Sequence, residues 1–302
     1  MEKQYFYEND YYYSFFTEGG VEYKFFAFNW NYDIKSQLEF VHKHAINELS
    51  IGNTSESNVE KIIDFIKKNE ITVYTLLLQN LTLKNIDFLH DFQTIKNLTV
   101  VAEVDKRFNF NELIKLQKLE LFMGKYFTLE DVNKNVTTLR LHKANLKSSI
   151  GFAQLKHVKN LNISQSTLTE INGLEGLKNI EALDISYFPK LKNIEPIKWC
   201  QKLKHLKIKN CKSIIDWGAL SENNSLKTII IENCAKIKSL EFLKNINIEE
   251  VCLIDTQIED GNVSWLLGKN IKKINFPVHK HYDLKYEELL EYQQKIGQRK
   301  HY

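Results

Sequence analysis

The sequence predicts an α/β solenoid in which short parallel strands stack into one continuous, concave sheet, each strand followed by a brief return segment. Three observations carry this. The pattern apolar-x-x-apolar-x-apolar recurs along most of the 302 residues, its copies keep a nearly constant spacing, and both ends of the chain depart from it. Such arrays need caps, because the outermost repeats would otherwise show water an apolar face and an unpaired strand edge. The expected organisation is an aromatic N-terminal cap over 1–44, an array of about eleven rungs over 45–277, and a C-terminal cap over 278–302.

From Tyr5 to Tyr32 the chain is dense in aromatics, with two strand-like runs, YYYSFF and VEYKFFAFNW, around a turn from Thr17 to Gly20. This spacing predicts a hairpin. A stacking platform for bases or sugars is the sharper alternative for the same rings, but strand packing alone calls for residues of this kind. INELSI, with Ile46, Leu49 and Ile51, is a first copy of the repeat. The following segment SESNVEKIIDFIKKN places Ile62, Ile63, Phe65 and Ile66 at helical spacing behind serine caps, which predicts one full helix.

The array then continues through ITVYTL (Ile71, Tyr74, Leu76), IKNLTV (Ile95, Leu98, Val100), LQKLEL (Leu116, Leu119, Leu121) and VTTLRL (Val136, Leu139, Leu141). Its clearest copies are VKNLNI (Val158, Leu161, Ile163), IEALDI (Ile180, Leu183, Ile185), LKHLKI (Leu203, Leu206, Ile208) and LKTIII (Leu226, Ile229, Ile231), which start 22 or 23 residues apart. IEEVCL (Ile248, Val251, Leu253) and IKKINF (Ile271, Ile274, Phe276) complete it. Between strands a second apolar cluster closes each coil, as in Leu174 with Leu177, Ile194 with Ile197 and Leu240 with Leu243, leaving room for no more than a turn or a short helix. At the end, DLKYEELLEYQQKI sets Tyr286, Leu289, Leu290 and Gln293 on one helical face after an Asp283 cap, with Gln298 to Tyr302 expected to fray.

Over about three quarters of its length the chain resembles the leucine-rich-repeat family, whose signature is L-x-x-L-x-L-x-x-N/C-x-L. Cys211 and Cys234 stand where that family places its inward asparagine or cysteine, followed by Ile214 and Ile237, whereas Ala144, Ser166 and Thr256 depart from it. The resemblance implies a leucine-rich-repeat solenoid, of internalin-like repeat length, that works as a non-enzymatic protein-binding scaffold.

Composition narrows the function classes. Hydrophobic residues at 43% and charged residues at 26% are those of an ordinary soluble protein, and a net charge of +3 is too small for a nucleic-acid footprint. No apolar run is long enough to span a membrane, and the first residues do not read as a secretory signal. Four cysteines, Cys200, Cys211, Cys234 and Cys252, are too sparse for a disulfide framework and favour a reducing cytoplasm, while the abundance of lysine, asparagine and isoleucine suggests an AT-rich bacterial genome.

No catalytic residue, metal site or cofactor is expected. The pairs His42 with His44 and His279 with His281 have no further ligand at convincing spacing. No phosphate-binding glycine loop, nucleophile elbow, H-E-x-x-H or Cys-x-x-Cys occurs. What remains is the outward side of the strands, where alternation aims the residues flanking the core positions at solvent. Successive rungs offer Glu120 and Phe122, Arg140 and His142, Asn162 and Ser164, Asp184 and Tyr187, Lys207 and Lys209 as a partner-binding strip. Phe122 and Tyr187 are the expected anchors, and Arg140 and Lys207 would steer an acidic partner. The partner is expected to be another protein, in the most specific form a toxin neutralised by a cytoplasmic bacterial inhibitor of the immunity type. A surface adhesin of internalin type and an unrecognised enzyme are the alternatives.

Overall fold

A computed structural model describes residues 3–294 apart from 9, 19, 145, 286, 289, 290, 292 and 293. The chain divides into two compact units, one up to His142 and one from Lys143 onward.

The first unit holds strands β1 (Gln4–Glu8), β2 (Tyr11–Glu18), β3 (Val21–Ala27), β4 (Glu48–Gly52), β5 (Thr75–Leu83), β6 (Asn97–Val104), β7 (Lys118–Phe122) and β8 (Thr138–His142), with helices α1 (Ile34–Lys43) and α2 (Glu56–Lys68). The hairpin expected from the aromatic runs is β2 with β3, paired antiparallel through Ser14 and Phe25. Two elements were not foreseen. Strand β1 adds antiparallel to β2, and α1 returns the chain to the parallel β4. The helix starts where the Asp33 carboxylate accepts the Ser36 N–H at 2.8 Å, and it buries Gln37, Leu38, Phe40 and Val41. The signal for it was present in Ile34, Leu38 and Val41, which stand at i, i+4 and i+7 behind Asp33.

The helix expected after the first repeat is α2, capped by Ser55 and burying Val59, Ile62, Ile63 and Ile66. Because it lengthens that repeat, the next strand enters two residues later than ITVYTL suggested. Val73, Leu76 and Leu78 are the buried triplet, while Ile71 and Tyr74 are half-buried. A full helix needs more chain to return than a single turn does, so the template slips at this point alone. The triplets of β6, β7 and β8 are buried as expected.

The second unit stacks β9 (Asn160–Ser164), β10 (Ala182–Ser186), β11 (His205–Lys209), β12 (Thr228–Glu232), β13 (Glu250–Ile254) and β14 (Lys273–Asn275). All are parallel and in one register that aligns Leu161, Leu183, Leu206, Ile229, Val251 and Ile274. The return segments shrink to single 3₁₀ turns, for example Leu174–Gly176, Glu195–Trp199 and Glu241–Leu243. These bury the second apolar cluster of each coil, including Leu174, Ile197 and Leu243.

Each full rung from Lys143 on ends its strand in the same way. Lys143, Gln165, Tyr187, Asn210, Asn233 and Asp255 all have left-handed backbones, with φ between 45° and 61°. Gln165, Tyr187, Asn210 and Asn233 still donate their N–H to the next rung, to Ser186, Lys209, Glu232 and Ile254 carbonyls at 2.8–2.9 Å. The left-handed step then swings the following residue inward, and Ala144, Ser166, Phe188, Cys211, Cys234 and Thr256 are buried there. Where the family pattern would place an asparagine, Thr256 accepts the Cys234 N–H at 3.2 Å through its hydroxyl. All four cysteines are buried and unbridged.

At the C-terminus Glu287, Glu288, Glu291 and Gln294 are helical and exposed. The residues expected on one face of that helix (Tyr286, Leu289, Leu290 and Gln293) and the expected frayed end at 298–302 lie outside the described residues. Asp283 ties this segment to the array by accepting the Val263 N–H at 2.8 Å.

Candidate protein-binding face

In the first unit, the β7–β8 register sets Glu120 beside Arg140 and Phe122 beside His142. All four belong to the outward rows, opposite the buried Leu119, Leu121, Leu139 and Leu141. Glu120 lies 2.7 Å from His142 Nε2 and 3.6 Å from Arg140. The hydrogen bond from His142, aided by the charge of Arg140, holds the Glu120 carboxyl below the usual carboxylate range despite its partial burial. Phe122 is half-buried. Towards the N-terminal strands this face carries a hydrogen-bonded ladder that ends on a carboxylate: Asn97 Nδ2 donates to Thr75 Oγ1 at 3.0 Å and the Thr75 hydroxyl donates to Glu48 at 2.6 Å.

In the second unit, pairing puts Asn162, Asp184, Lys207, Ile230, Cys252 and Asn275 in one outward row. A parallel row carries Ser164, Ser186, Lys209, Glu232 and Ile254. Asn162, Asp184, Lys207 and Lys209 therefore stand where the alternation placed them. Tyr187 does not. Ser186 takes the outward position in that rung, and Tyr187 is the left-handed residue beyond the strand, half its surface exposed at the strand end. The fault lay in stepping three residues from Asp184 to reach an aromatic, which breaks the two-residue period of a strand.

Charges alternate along these rows. Lys209 meets Glu232 at 2.6 Å, and in a third row, that of Thr228, Glu250 and Lys273, Lys273 meets Glu250 at 2.7 Å; neither carboxylate is among the residues expected on the face. Asp184 is held loosely by Lys207 at 4.0 Å, and its Oδ1 has no partner. Burial pushes the Asp184 carboxyl up, against the pull of Lys207 and Lys209. Ile230 and the exposed Ile254 add apolar surface beside it. The signal for Ile230 was present in LKTIII, whose middle isoleucine falls on the outward parity.

Elsewhere, His42 packs edge-on against Phe65, and His279 and His281 lie with ring centroids 5.8 Å apart. Among the described residues no group of three or more histidines, cysteines and carboxylates is placed to hold a metal ion. No helix among them is long and apolar enough to cross a membrane.

The repeat register and the comparison with solved structures decide the fold. An internalin, InlF of Listeria monocytogenes, superposes with a TM-score of 0.69 over 87% of this chain and 78% of its own, at 15% sequence identity. This is a leucine-rich-repeat fold. The functional domain of InlJ from the same organism, described as including a cysteine ladder, is a second leucine-rich-repeat relative in fold. It has a TM-score of 0.51 and 13% identity, covering 75% of this chain and 51% of that one. No family model and no curated protein matches the chain. At such identities the likeness concerns the leucine-rich-repeat architecture alone, in which Cys211 and Cys234 occupy successive inward positions.

Proposed function

We propose that this chain is a protein-binding scaffold whose partner docks on the outward rows of its strands. One observation carries this. Opposite an unbroken apolar core row, the outward residues differ from rung to rung, and the half-buried Asp184 among them keeps an unpartnered carboxylate oxygen. A buried acceptor without a donor is costly, so a donor supplied by a partner would stabilise the complex. In its specific form the proposal makes that partner a toxin, neutralised in the bacterial cytoplasm by an inhibitor of the immunity type. The mixed-sign rows suit recognition by charge complementarity, and four buried thiols left unbridged suit a reducing compartment. An adhesin would use the same face outside the cell, and protease treatment of intact cells separates the two.

The test is affinity capture from the native cell, followed by co-expression with the captured protein. Wild-type chain should restore growth suppressed by that protein. Asp184→Asn, Lys207→Ala and Lys209→Ala combined should lose at least tenfold in affinity and all of the rescue, with circular dichroism unchanged. Full-strength binding by that folded variant refutes the assignment of the face.

A further inference from the structure

The rings of the aromatic N-terminal block fall into two sets. Tyr13 and Phe26 point inward and are buried, as a cap requires. A second set of rings surrounds a hollow of about 420 Å³ at the ends of β3, β4 and β5. Tyr12 and Tyr32 line it and remain 54% and 39% exposed, and Trp30 stacks against Phe28 beside them at 6.1 Å and 12°.

The wall that carries Trp30 is held in place before any ligand arrives. Gln37, fully buried on α1, accepts the Asn29 N–H at 2.8 Å and donates to the carbonyls of Asn29 and Tyr32 at 2.9 and 3.3 Å. Trp30 Nε1 donates to the Gly52 carbonyl at 2.6 Å, pinning the loop to the end of β4. Gly52 is required there, because a Cβ would come within 2.7 Å of the Gln79 carbonyl oxygen. A site fixed in this way loses little ordering entropy on binding.

The polar groups of the hollow are by contrast free of partners among the described side chains and main chain. The Ser14 hydroxyl, the Asn53 and Gln79 amides and the Asp10 carboxylate all line it, and none has a side-chain hydrogen bond to the described residues. Ser14 is more than nine-tenths buried as a residue, Gln79 is half-buried, and Asn53 and Asp10 are exposed at the rim. Among the described lining residues there is no lysine, arginine or histidine. A phosphate or carboxylate ligand would therefore find no cation and would meet Asp10. An apolar side chain from a protein partner would cover the four polar groups without pairing them. A ligand that is uncharged, carries many hydroxyls and has flat C–H faces satisfies both the amides and the negative faces of the rings.

We propose that this hollow is a binding site for neutral carbohydrate. Tyr12 and Tyr32 stack on the sugar ring, Asn53 and Gln79 donate to and accept from its hydroxyls, and Asp10 and Ser14 fix its orientation. The site is separate from the charged rows proposed to bind protein.

The purified full chain should be titrated with glucose, galactose, mannose, N-acetylglucosamine and their disaccharides, read by saturation-transfer NMR and tryptophan fluorescence. At least one is expected to bind saturably. Gln79→Ala with Asn53→Gly, the glycine keeping the left-handed backbone of that position, should weaken it at least tenfold; Tyr12→Ala, at an exposed ring, should do the same. Lys207→Ala should leave it unchanged. Absence of saturable binding across the panel overturns the proposal. So does binding that survives the Tyr12 variant, and so does adenosine binding at the hollow in place of every sugar.

Discussion

Tyr187 shows how a single backbone angle decides what a side chain can do. It occupies the left-handed step that Asn210 and Asn233 occupy in the next two rungs, at φ +61° against their +54° and +49°. Asparagine tolerates this region, whereas a bulky side chain is strained there by about 1–2 kcal/mol. Tyr187→Asn is therefore expected to stabilise the chain by roughly 0.5–1 kcal/mol, seen as a raised thermal midpoint; an unchanged or lowered midpoint would mean that contacts of the ring outweigh the strain. Inward residues give the opposite result. Leu161→Asp or Leu183→Asp puts an unpaired charge at positions only 2% exposed, and a loss well above the roughly 1 kcal/mol of an average substitution is expected in denaturant titrations. These core leucines were legible in the sequence because their period is strict. The left-handed step was not, since Lys143, Gln165, Tyr187 and Asp255 share no chemistry that would announce it.

Among the elements, β1 is tied to the end of α1 by an ionised group. Glu8 at its end reaches Lys43 at 2.5 Å and His44 at 2.6 Å on and beside α1. The hydrogen bond from Lys43, joined by that from His44, holds the Glu8 carboxyl below its ordinary value of 4.5. With the folded value lowered, the stabilisation is present above that ordinary value and is lost as pH falls through the folded one. Amide exchange of β1, corrected for its intrinsic pH dependence, should accelerate relative to β2 and β3 as the pH falls below 4.5. In Glu8→Gln that acceleration should be absent, and exchange of β1 should be fast at neutral pH as well. The strand escaped sequence reading because five residues with no buried side chain carry no core pattern. The same reasoning explains ITVYTL: its apolar residues fit the template, and only the helix before it shifted the frame.

For the whole molecule, repetition means that each rung is stabilised mainly by its neighbours. In the second unit, β10, β11 and β12 have a strand on either side, whereas β14 is three residues long and pairs only with β13 among the described residues. Hydrogen exchange measured by mass spectrometry should give protection that is greatest at β11 and declines towards β14; uniform protection would mean that the unit opens only as a whole. The outward face was legible rung by rung where alternation was followed, as with Glu120, Arg140 and Lys207. The carbohydrate hollow was not, because Ser14, Asn53 and Gln79 come from three separate stretches of the chain. The buried cysteines bear on how such openings can be timed. Burial pushes the Cys200 and Cys211 thiols up to about 12, and those of Cys234 and Cys252 upward as well, so at neutral pH the closed coil presents almost no thiolate. Alkylation of the inward thiols of Cys200, Cys211 and Cys234 must wait for a rung to part from its neighbours. The order in which these three acquire label is thus a stopwatch, set into consecutive turns of the chain, for the direction in which it unravels.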